Sequence, residues 1–129
     1  MAYTGEVFNV ERRADLVVVR PLRDETTLRY FEIHNESNRI MRMLDDPAIR
    51  GVVVNFCDVP ALGWVMTSAI VRLVRNVDYR GGGAAFCNAS PTLLALFETM
   101  HLGRPWTHHE LLEEAIEQLT GGPDQEPGA

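Results

Sequence analysis

The chain of 129 residues contains no lysine: all 12 of its basic side chains are arginine. That excludes Schiff-base and other lysine-dependent chemistry. Cysteine is scarce. Cys57 and Cys87 stand thirty positions apart, with no CxxC and no disulfide framework. A reducing, cytoplasmic compartment is therefore the expectation. No apolar run approaches the ~20 residues needed to span a bilayer, and Met1 to Glu6 lacks a positive segment leading into an apolar one. No membrane segment and no signal peptide are expected. Positive charge is also in deficit: 18 acidic residues give a formal net charge of -6. A nucleic-acid or anionic-membrane partner usually needs a basic face, so neither is expected.

What is present is enough for one core. Hydrophobic residues make up 46% of the chain. A chain of this length buries roughly two-thirds of its unfolded surface as a single domain. The domain is expected over residues 1–120. Residues 121–129, rich in Gly, Pro, Asp and Glu, read as a disordered tail.

Periodicity orders the elements. Val7–Val10 and Leu16–Val19 are β-rich runs separated by Arg12, Arg13, Ala14 and Asp15, which reads as an antiparallel hairpin. Asp24 to Asp46 is helical in pattern, with Tyr30, Ile33, Ser37, Met41 and Leu44 on one face, and Pro47 stops it. GVVVNF, from Gly51 to Phe56, suits a strand buried on both faces. A loop from Cys57 to Leu62 leads to a helix whose stripe is Met66, Ile70, Leu73, Val74 and Val77. Gly81 to Gly83 ends that helix, and Ala84 to Cys87 is the next strand. Ser90-Pro91 starts a helix by cap chemistry, with Leu93, Leu96, Phe97 and Met100 inward and Gly103 as its stop. Pro105-Trp106 reads as a last extended segment. Thr107-His108-His109-Glu110 then reads as a capping box opening a helix with Leu112, Ala115, Ile116 and Leu119 inward. An opening hairpin followed by alternating helices and strands implies an α/β domain with a mostly parallel sheet.

Few residues point to chemistry. The triple glycine follows a helix and precedes a strand, the reverse of a phosphate loop, so it reads as a helix C-cap. His108 and His109, placed on a helix, point apart and face solvent, with no second ligand pair at metal spacing. His34 and His101 stand alone. Asp45-Asp46-Pro47 is a helix end, not an acid/base pair. Cys57 lies at the C-terminal end of a central strand, but Asp58 beside it would raise the thiol pKa and blunt a nucleophile. Cys87, within a strand, reads as a small core residue. No cofactor, metal or catalytic residue is assigned, and the chain is not expected to be an enzyme. What remains is CDVPALGWVMTSAI, from Cys57 to Ile70. This loop runs into a helix N-terminus, a position that offers backbone N–H groups and a partial positive charge. It carries Trp64 and the hydroxyls of Thr67 and Ser68.

From about Asp15 to Leu119 the chain resembles a STAS domain, the fold of the bacterial anti-sigma factor antagonists. The matching stretches are DDPAIRGVVVNFCDV, LVRNVDYRGGGAAFCNASPTLLALFETMHLGRPW and THHELLEEAIEQL. The family pattern is an I-x-x-V-V-V-D/N strand, a helix, GG, a strand ending in C-N/A-x-S-P, a helix, a short strand and a last helix. The resemblance implies a non-enzymatic signalling module in bacterial transcription regulation. It implies a partner that is both serine kinase and anti-sigma factor, bound around Asp58, Gly63 and Trp64. In the family a Ser at this helix N-terminus is phosphorylated, which breaks the complex. Aligned without gaps from Asn55, that Ser position falls on Trp64. Sliding the loop by three instead brings Thr67 and Ser68 under the motif, making them the alternative phosphosites. Trp64 either plugs the core beneath the loop or stands exposed as an interface anchor. Two other readings stay open: an oligomerising STAS-like subunit, with a homodimer through Trp64 and the first hairpin, and a small ligand-binding or thiol-dependent α/β domain using Cys57 and Asp58.

Overall fold

The computed structural model describes residues 2–23, 30–99 and 107–120. Strands β1 (Ala2–Thr4), β2 (Phe8–Arg13) and β3 (Leu16–Pro21) precede helix α1 (Tyr30–Leu44). Then follow β4 (Gly51–Asn55), α2 (Trp64–Tyr79), β5 (Gly83–Cys87), α3 (Pro91–Thr99), β6 (Thr107–His109) and α4 (Leu112–Thr120). The expected helical start at Asp24, the residues Met100, Gly103, Pro105 and Trp106, and the expected disordered tail lie outside the described residues.

The six strands form one sheet in sequence order, β1 to β6. β1, β2 and β3 are antiparallel, and β3 through β6 are parallel. The expected hairpin is present, but its strands run to Arg13, leaving Ala14 and Asp15 as the turn. Ala14 sits in the left-handed region at φ 56. β1 is an addition that the sequence pattern did not show.

The topology dictates the layers. The parallel strands advance in one direction, and a parallel crossover is almost always right-handed. The three crossover helices therefore share one face. Their core joins Ile33, Ile40 and Leu44 of α1, Met66, Ile70, Leu73, Val74 and Val77 of α2, and Leu93 and Phe97 of α3. They pack on Phe8, Val10, Val17, Val19, Val52, Val54 and Phe86. The alternate residues Val18, Val53, Ala85 and Cys87 face the other way, onto Ala115 of α4 with Leu112, Ile116 and Leu119 beside it. An Arg13–Glu113 ion pair at 2.9 Å ties the hairpin to α4.

Two expectations are corrected. Tyr30 is not in the α1 stripe; it is 66% exposed, and Ile40 is the fully buried residue instead. The Thr107 capping box does not form. Thr107, His108 and His109 are the edge strand β6, paired with Ala85, Phe86 and Cys87. α4 begins at Leu112, and the Glu114 carboxylate accepts from the Leu111 N–H at 3.4 Å. Thr107 to Glu110 fits the capping pattern locally, but pairing with β5 satisfies more backbone groups and wins. Of the three glycines, the first two close α2 and Gly83 opens β5. Gly81 takes φ +84, and the N–H groups of Gly81 and Gly82 return to the carbonyls of Asp78 and Val77.

Candidate functional site

β4 is buried along its whole length between β3 and β5. Its last residue, Asn55, therefore delivers the chain to the centre of the C-terminal sheet edge, where open α/β sheets usually carry function. Asn55 is buried, and its side-chain carbonyl does two jobs. It accepts from the Cys57 N–H at 3.1 Å, turning the chain, and from Asn88 Nδ2 at 2.9 Å. Asn88, which follows β5, has φ 59, a region that Asn tolerates better than most residues. The loops after β4 and β5 are thus joined by one amide pair.

Below the first loop lies an aromatic floor. Phe56, Phe86 and Phe97 pack mutually, with ring centroids 4.9 to 5.7 Å apart. Val59 is also buried, and its N–H returns to the Phe56 carbonyl at 3.2 Å. The Ser90 hydroxyl donates to the Pro60 carbonyl and accepts from the Leu93 N–H at 3.2 Å. Ser90 is therefore the helix cap the sequence indicates, and it also anchors the loop.

Asp58 points outward. Its carboxylate lies 3.0 Å from Nε of Arg20 at the end of β3, an ion pair without the alignment of a hydrogen bond. Gly63 is the N-cap of α2, in an extended conformation and with no side-chain cap. Its carbonyl accepts both the backbone N–H of Thr67 at 3.1 Å and the Thr67 hydroxyl at 2.8 Å. Thr67 is buried, so its hydroxyl is already engaged. Ser68 is half-buried on the neighbouring face. Trp64, the first residue of α2, is 73% exposed. The indole therefore does not plug the core beneath the loop.

Trp64 lines a groove of about 200 Å³ between the N-terminal halves of α1 and α2, together with Tyr30, His34, Ser68 and Arg72. The walls are linked. Tyr30 stacks on His34, His34 Nε2 meets Asn38 Nδ2 at 3.1 Å, and Asn38 Oδ1 accepts from Arg72 at 2.9 Å. Sequence reasoning placed none of Asn55, Asn88, Arg20 or this groove in the site. A buried Asn closing an otherwise apolar strand was the one available signal.

The rival chemistry fares less well. Cys57 is exposed, but partial burial and then the Asp58 charge push its thiol pKa up, away from the thiolate that nucleophilic attack needs. Cys87 is fully buried, and burial, with the nearby Cys57, pushes it up to about 12. His108 is half-buried in β6, not solvent-facing on a helix. Its Nε2 accepts from the Ala89 N–H at 3.3 Å. Burial, then the charge of His109, lowers its pKa, which keeps it neutral. Among the described residues no group of three metal-ligating side chains occurs, and no helix is long and apolar enough to cross a membrane.

An antiparallel hairpin leading into parallel strands, with three crossover helices on one face and a terminal helix on the other, defines a mixed α/β domain class. The chain has the STAS fold. It superposes on SpoIIAA, an anti-sigma factor antagonist, in its unphosphorylated form with a TM-score of 0.70 at 21% identity, over 89% of this chain and 99% of that one. The phosphorylated Bacillus SpoIIAA gives 0.68 at 20% identity, over 87% and 98%. An anti-sigma-factor antagonist (STAS) domain protein from Planctomyces limnophilus gives 0.70 at 18%, over 88% and 97%. No family model matches the sequence, and no curated protein matches it.

Proposed function

We propose that this chain is a non-enzymatic interaction module of the anti-sigma factor antagonist type. It binds a kinase-type anti-sigma factor or a related regulator through Asp58, Gly63 and Trp64. The observation that carries this reading is the 73% exposure of Trp64 on the first turn of α2, beside the loop that leaves the central strand. A large indole held in water on the first turn of a helix is unfavourable for the free protein and is the kind of anchor that binding surfaces use. The STAS fold shared with SpoIIAA supports the choice of partner.

On the same reading, Trp64 takes the place of the phosphorylatable serine. An indole imitates neither serine nor phosphoserine, so the usual switch is lost at that position. The stretch from Cys57 to Val65 contains no hydroxyl. Of the two hydroxyls that follow, the Thr67 group is buried and donates to Gly63, which leaves Ser68 as the more accessible acceptor of a phosphoryl group.

Affinity purification of the tagged chain from its native cell, with identification of the retained proteins by mass spectrometry, tests this. An ATP-binding kinase-like regulator is expected in the wild-type eluate and missing from that of Trp64→Ala, with the two proteins melting alike. Retention of the regulator by both would sink the reading. Any phosphate transferred by that regulator from ATP should map to Ser68. Phosphate on Ser90 would mean the regulatory surface lies at the α3 start instead.

A further inference from the structure

Two exposed features are left over. The first is the α1–α2 groove. At about 200 Å³ it is smaller than the usual small-molecule pocket of roughly 300 Å³ or more. It suits one aliphatic side chain against the rings of Tyr30 and Trp64. Its charged wall is Arg72, with His34 beside it, and no carboxylate is among its described lining residues, although the chain carries -6 overall.

The second is Leu111, 59% exposed just before α4. Glu110 precedes it, and Glu113 and Glu114 follow, all exposed; Glu113 also pairs with Arg13, and Glu114 accepts from the Leu111 N–H. Among the described exposed apolar side chains it alone has carboxylates close on both sides in sequence. An apolar knob set among carboxylates complements an aromatic groove with a cationic wall. Within one chain the two cannot meet, because α1 and α2 pack on one face of the sheet and α4 on the other.

We infer that they meet between copies: Leu111 of one chain enters the α1–α2 groove of the next, with Glu110 opposite Arg72. Knob and groove lie on opposite faces of the sheet, so the contact is head-to-tail, running into an open series or a ring and not a two-fold pair. The contact does not depend on the regulator reading, although it shares Trp64 with it. A groove filled by Leu111 withholds part of the Trp64 surface from any other partner, so self-association and regulator binding compete.

Sedimentation velocity of the full chain, over a wide range of concentration, tests this with no regulator present. The weight-average sedimentation coefficient of the wild type should rise with concentration. Leu111→Ser, Arg72→Glu and Glu110→Arg should each abolish the rise while still melting cooperatively, Arg72→Glu somewhat lower because it gives up its bond to Asn38. An equal mixture of Arg72→Glu and Glu110→Arg should regain it, because each groove then finds a knob of opposite charge. A wild type that stays monomeric throughout overturns the inference. So does an assembly that Arg72→Glu and Leu111→Ser leave intact. Failure to capture a regulator would leave these outcomes untouched.

Discussion

The carboxylate of Glu36 fills the space in which a β-carbon on Gly5 would sit. From α1 it reaches into the turn between β1 and β2. There it accepts the N–H groups of three consecutive residues: Glu6 at 2.8 Å, and Val7 and Phe8 at 3.1 Å. Beside it, the Arg39 guanidinium lies 4.5 Å over the Tyr3 ring. One helix side chain thereby docks the antiparallel edge of the sheet.

Glu36→Ala should accordingly cost about 2–3 kcal/mol, the worth of charge-assisted hydrogen bonds that leave amides unpaired when lost. Urea denaturation measures it. Gly5→Ala should destabilise by displacing the same carboxylate. In a Glu36→Ala background the Gly5 substitution should cost less, since only the Tyr3 hydroxyl is then left in the way of the new β-carbon. Additive costs would show that the two residues act separately.

His108 predicts an acid dependence with a definite sign. Its folded pKa lies below the ordinary 6.5, so the unfolded chain takes up a proton first as the pH falls. The neutral imidazole's contribution is complete above 6.5 and is lost as the pH drops from there through the lower folded value. Urea midpoints measured from pH 7.5 downward should fall, and His108→Gln should flatten that part of the profile. An unchanged slope in the variant would remove His108 as the source.

The thiols should separate by position. With Ellman's reagent at neutral pH, native protein should release one equivalent, from Cys57, more slowly than a free thiol because its pKa is raised. Cys87 should react only after unfolding. Cys57→Ser should remove the native reaction. The raised Cys87 pKa also sets an alkaline sign: stability is kept below the ordinary 9.0 and declines as the pH rises from there towards about 12. Two fast native thiols would contradict both points.

The parts of this fold legible in the sequence are those whose pattern repeats locally. The α2 stripe from Met66 to Val77 is buried throughout, β4 is buried on both faces, and Ser90 caps α3. The errors lie where a distant partner decides. Thr107 to Glu110 satisfies a capping pattern, yet β5 recruits Thr107, His108 and His109 as a strand. β1 is three residues long and exists through its pairing with β2. The three amides held by Glu36 lie 28 to 30 residues away in sequence, beyond any periodicity. Within the candidate site, the loop and the α2 start are legible from their place after a buried strand, whereas Asp58, Gly63 and Trp64 as a binding surface follow from the STAS resemblance. The Asn55–Asn88 pair and the Arg20–Asp58 ion pair arise only when separate strands come side by side.

The buried amide of Asn55 has a mechanical consequence. Because one oxygen is shared by Cys57 and Asn88, the two loops cannot shift independently without giving up a bond in the interior. A molecule that tugs on the segment bearing Asp58 therefore also loads the turn at Ser90 and the strand edge at His109, whose carbonyl holds the Asn88 N–H. Force applied at the rim of the sheet is thus spread sideways over the ends of three strands as well as into the caps of α2 and α3.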